Sequence, residues 1–97
     1  MSNIKKARFL GLKLFNKFFI FLLRAIFSPC GQVIATMYSD GRLMLLDIKH
    51  GNVAFEYKII MKTFIDIVFD RTGRWLFVLH DHQKLETFQL LWDCGND

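Results

Sequence analysis

Displaced by 42 positions, residues 22–48 of this chain fall on residues 64–90, bringing Phe27 onto Phe69, Gly31 onto Gly73 and Leu43 onto Leu85. Twelve of these 27 pairs are apolar in both copies. A repeated unit of this length cannot bury its apolar face alone and is stabilised by stacking on a neighbour. A chain of 97 residues holds two such units and a leader, and little else.

Inside each unit, short apolar runs alternate with turn signals at roughly eight- to twelve-residue intervals, the pattern of an all-β chain of antiparallel strands. Residues 22–27 are apolar except for Arg24, and Ser28-Pro29-Cys30-Gly31 then places Pro at the second and Gly at the fourth position of a turn. A second strand is predicted over 33–38, a third over 43–48 and a fourth over 53–57. Between the second and third, Ser39-Asp40-Gly41-Arg42 carries the Asp-Gly pair that most strongly signals a hairpin. After a link at 58–63 the order begins again: strands over 64–69, 75–79 and 85–90, with turns at Asp70-Arg71-Thr72-Gly73 and Asp81-His82-Gln83. Gly31 and Gly73 stand where the backbone must adopt a conformation that a Cβ resists. Asp40 is expected to brace the turn at Gly41 by bonding its own backbone.

The run Phe27-Ser28-Pro29-Cys30-Gly31-Gln32-Val33-Ile34-Ala35-Thr36, then Ser39-Asp40-Gly41-Arg42-Leu43, then Leu45-Leu46-Asp47-Ile48 and Gly51, resembles a WD-repeat of the β-propeller class. The resemblance covers residues 21–91, one blade and three strands of the next. It implies four-stranded antiparallel meander blades, a non-catalytic role as a scaffold for protein partners, and no cofactor. The sequence departs from the family pattern: Leu46-Asp47 and Phe88-Gln89 stand where Trp-Asp is expected, and no Gly-His pair precedes the second unit. Leu91-Trp92-Asp93 holds the dipeptide out of register. The family's buried polar network reduces to Asp40 with a hydroxyl from Thr36 or Ser39. Propellers have roughly four to eight blades, so two cannot close a ring. The expectation is a fragment, a truncated isoform or a predicted open reading frame, the alternatives being self-assembly of several copies into a ring and a self-contained sheet with a helical leader covering one face; the chain is organised as a leader (1–20), a first blade (21–58) and a second, incomplete blade (59–97).

The charge is uneven. Residues 1–26 carry six Lys and Arg and no acid, so of a total of +4 the remaining 71 residues hold −2. Wound as a helix, Lys6, Lys13, Lys17 and Arg24 fall within about 40° of one another on an otherwise apolar rod. Spanning a membrane is disfavoured, because the longest uninterrupted apolar run, residues 18–23, is six long where a spanning helix needs about 18. Lys17 near the centre of such a span would cost roughly 2.5–3.5 kcal/mol. Interfacial binding or mitochondrial targeting through the leader is the alternative to a cytoplasmic or nuclear scaffold. Lysines interleaved with Phe9, Phe15, Phe18 and Phe19 give weak grounds for nucleic-acid binding, and the mildly acidic blades argue against it.

Catalytic patterns are sparse. Cys30 lacks spaced His or acid partners, and two cysteines are too few for a disulfide-rich scaffold. His80-Asp81-His82 could present two imidazoles on one face of a strand end, with no third ligand evident; a solvated turn is the simpler reading. In a meander alternate turns share an edge, so residues 39–41, 58–63 and 81–83 come together while Pro29, His50 and Thr72 gather opposite. The first edge carries Tyr38, Arg42, Lys58, Lys62, His80 and His82, aromatic and cationic types suited to anchoring a partner.

Overall fold

The computed structural model describes residues 20–91. It contains seven strands: β1 (Leu22–Phe27), β2 (Val33–Tyr38), β3 (Arg42–Asp47), β4 (Asn52–Lys58), β5 (Phe64–Phe69), β6 (Trp75–His80) and β7 (Lys84–Gln89). They form two antiparallel meanders, β1-β2-β3-β4 and β5-β6-β7. No helix occurs among the described residues, and the leader, expected to be helical, lies outside them except for Ile20, as do Trp92 and Asp93.

The repeat is a repeat of backbone geometry. Strands β5, β6 and β7 begin and end 42 positions after β1, β2 and β3. The register irregularity between Leu22 and Arg24 recurs between Phe64 and Asp66. Ser28 N–H donates to Val33 O at 2.8 Å and Asp70 N–H to Trp75 O at 3.0 Å. Gly31 and Gly73, with φ of 76° and 77°, close these turns, and their amides donate to Ser28 O and Asp70 O. In that left-handed region a Cβ is disfavoured, as expected at both glycines.

Side-chain alternation then builds the core. In a strand successive residues face opposite sides, and the cross-strand row Ile26, Ala35, Leu45, Phe55 lies on the side turned toward the second sheet. Val33, Ala35, Met37, Leu43 and Leu45 are buried in one cluster with Ile59 of the link and with Ile67, Leu76 and Val78 of the second sheet. Burial of each large apolar side chain contributes about 1.5–3 kcal/mol. The two sheets therefore pack face to face. At one end of the stack Arg24 of β1 pairs with Asp66 of β5 at 3.8 Å. At the other, the Phe88 ring of β7 meets Tyr57 and Phe55 of β4 edge-on, at centroid distances of 5.4 and 6.1 Å.

Four strands differ in their bounds from the sequence reading. β3 and β7 each start and stop one residue early, because Arg42, read as a turn residue, and Lys84, read as lying between turn and strand, pair with Lys58 and His80. β4 spans Asn52–Lys58, longer than its alternation suggests, since an edge strand exposed along its whole length need not alternate. β6 continues to His80. The expected polar network does not form. Asp40 Oδ1 accepts from Arg42 N–H, bracing its own turn as anticipated, whereas Thr36 Oγ1 donates to Met44 O and Ser39 Oγ accepts from Phe21 N–H.

A candidate interaction edge

The link at residues 59–63 is tied at both ends. Ile59 N–H donates to Gly41 O at 2.8 Å, fixing the link to the β2–β3 turn. Lys62 and Thr63 both donate their amides to Asp81 Oδ1, at 2.8 and 2.7 Å, and Asp81 N–H returns a bond to Thr63 O. These amides of Thr63 and Lys62, helped by His80, hold the Asp81 carboxyl below the usual carboxylate range. Residues 39–41, 58–63 and 81–83 are thus brought to one edge, as the meander implies. The β6–β7 turn has no glycine, and Asp81 and His82 take φ of 47° and 71°. Asp and His are among the non-glycine residues that enter this region most readily.

Between these anchors, alternation turns neighbouring link residues opposite ways. Ile59 is buried and Met61 packs against the core, whereas Ile60 is 94% exposed. Lys58 and Lys62 stand exposed on either side, and among the described residues neither has an ion-pair partner. The edge therefore presents an apolar tip between two cations. Sequence reasoning missed Ile60, although Ile59-Ile60-Met61 in a turn-rich link was a signal: three consecutive apolar residues cannot all face inward.

The other expected partner residues are distributed unevenly. His82 is exposed and Tyr38 half-buried. Arg42 is engaged within the chain, pairing with Asp40 at 3.0 Å and Glu56 at 3.7 Å. His80 does not join the surface. It is 1% exposed, with Nε2 3.1 Å from Glu86 Oε2. Nδ1 lies 3.4 Å from Asp81 Oδ2 without hydrogen-bond geometry. The correction follows from register: Ile67, Val78 and Glu86 form one row facing the first sheet, and His80, two residues beyond Val78, faces the same way. It is thereby separated from His82, and no group of three or more potential metal ligands occurs among the described residues.

The opposite edge carries exposed Pro29, His50 and Thr72, with His50 Nδ1 2.7 Å from Asp47 Oδ2. Nearby, a cleft of about 560 Å³ opens between the sheets, with Val33, Leu45, Asp47, Phe55, Phe88 and Leu90 among its lining residues. Cys30 Sγ lies 3.5 Å from Ser28 Oγ in its turn. Among the described residues no helix is long and apolar enough to cross a membrane.

No family model and no curated protein matches the chain. A solved structure does: the β-propeller domain of Cps50 (Swd1) from Myceliophteria thermophila, with a TM-score of 0.64 and 16% identity. The chain has the fold of a partial β-propeller. The match covers 80% of this chain and 25% of that one, so the chain spans about a quarter of the solved domain's length. At this identity the likeness concerns the fold, and the two sheets are propeller blades.

Proposed function

We propose that this blade pair is of the WD type and serves as a non-catalytic protein-interaction scaffold, in a cytoplasmic or nuclear setting, with no cofactor. The observation that carries this reading is the link tied to both hairpin turns, which presents Ile60 between Lys58 and Lys62. An apolar anchor ringed by cations suits a protein segment bearing an apolar side chain beside acidic ones. A rigid propeller edge presents such a surface at low conformational cost, because its backbone is already fixed.

The test is capture of a partner by the chain, or by any longer protein containing these blades, before and after Lys58→Glu with Lys62→Glu and, separately, Ile60→Asp. Loss of the captured protein, with melting temperature nearly unchanged, is expected for both. Capture that survives both, but is lost when His50 and Arg71 are altered, would move the surface to the opposite edge.

A further inference from the structure

The two blades present faces related by the repeat. On the first sheet, Ile26, Val33, Met37 and Leu43 are turned to the second. Their counterparts 42 positions on are Val68, Trp75, Leu79 and Leu85. Alternation sets these on the open face of the second sheet, opposite the buried Ile67, Leu76 and Val78. There Val68 is 52% and Leu85 57% exposed. Conversely, Phe69, Leu76 and Phe88, which face the first sheet, correspond to Phe27, Ile34 and Leu46 in one cross-strand row on the open face of that sheet. Phe27 is 65% exposed. Each open face is thus built on the plan of the face that is buried on the other blade.

Charge agrees. The ion pair between blades joins Arg24 to Asp66, and these two residues are themselves 42 positions apart. If the stack continues with a second copy, Asp66 occupies the position of Arg24 and meets Arg24 of the next copy, again opposite in sign. A stack of like residues at this position would instead be repulsive.

We propose that the open faces are covered by further copies of this chain, joined head to tail, the open face of β1–β4 of one copy on the open face of β5–β7 of the next. Such an interface is heterologous and generates a ring where the rotation closes. With about four to eight blades per ring and two per copy, roughly two to four copies close it. The inference rests on the fold and the repeat, and is independent of the reading of the edge at Ile60.

Sedimentation velocity on the full 97-residue chain across a concentration series tests it. The wild type is expected to form an oligomer of defined size. Phe27→Glu and Leu85→Glu each spoil one face and are expected to be monomeric with unchanged strand circular dichroism. Their equimolar mixture is expected to give a one-to-one pair, because each supplies the intact face that the other lacks. If either variant loses its strand signal, Val53→Lys replaces the first and Val68→Lys the second. A monomeric wild type, with its faces covered by residues 1–19 or by solvent, overturns the proposal. So does self-association by either variant alone, which marks a symmetric contact, or a mixture that stays monomeric.

Discussion

Gly41 and Ile59 approach so closely that a Cβ built on Gly41 would overlap the carbonyl oxygen of Ile59, while the Ile59 amide donates to Gly41 O at 2.8 Å. The contact joins the first hairpin to the link between blades. Its closeness is permitted by the missing side chain and by the φ of 94° at Gly41.

Gly41→Ala is therefore expected to lose more stability than Gly31→Ala. At Gly31 an added Cβ meets nothing within 4 Å, so only the strain of φ 76° is felt, about 1–2 kcal/mol. At Gly41 the same strain is joined by displacement of the link. Urea denaturation of the two variants beside the parent checks the order; equal midpoints would contradict it.

His80 and Glu86 form a pair in which one member is fully enclosed. Glu86→Ala leaves the buried Nε2–H without its acceptor and is expected to cost about 1–3 kcal/mol. His80→Leu combined with Glu86→Ala should cost less than the sum of the single changes. A double-mutant cycle by chemical denaturation reads the coupling, and additive losses would show that the pair contributes nothing.

Thr36 is buried with its hydroxyl donating to Met44 O, and its counterpart in the second blade is Val78, also buried but on the face turned to the first sheet. Thr36→Val is expected to lower stability by about 0.5–1.5 kcal/mol, the net value of one hydrogen bond, without altering the fold. The melting curve should keep its cooperativity.

Asp81 gives the blades a sensitivity to acid. Its carboxyl is lowered from an ordinary 3.8 by the Thr63 and Lys62 amides, so its contribution is present above that value and is lost as pH falls through the lower folded value. Asp81→Asn keeps a carbonyl acceptor and tolerates the positive φ. It is expected to be less stable than the parent at neutral pH and to lose less on acidification toward pH of about 2. Parallel curves of stability against pH would contradict this.

The strand order was legible because the repeat aligns two copies: a turn such as Asp81-His82-Gln83, weak alone, is supported by Ser39-Asp40-Gly41 at the same place in the first unit. Strand ends were less legible. Arg42 belongs to a turn signal and Lys84 directly follows one, and only their backbone pairing draws them into β3 and β7. At the edge, Lys58, Lys62 and His82 could be placed from the meander alone. The burial of His80 could not, because it depends on the neighbouring sheet covering that face. Ile60 was hidden by a similarity in kind, as hydropathy does not distinguish it from Ile59 and Met61, which point the other way.

In both sheets every strand pairs with its neighbour in sequence. Contact order within each blade is therefore low, and the loop-closure entropy opposing each hairpin is small, so the hairpins should form early in folding and docking of one sheet on the other should come last. Substitutions in the turns would then chiefly slow folding. Those in the inter-sheet core, at Met37 or Leu76, would chiefly hasten unfolding.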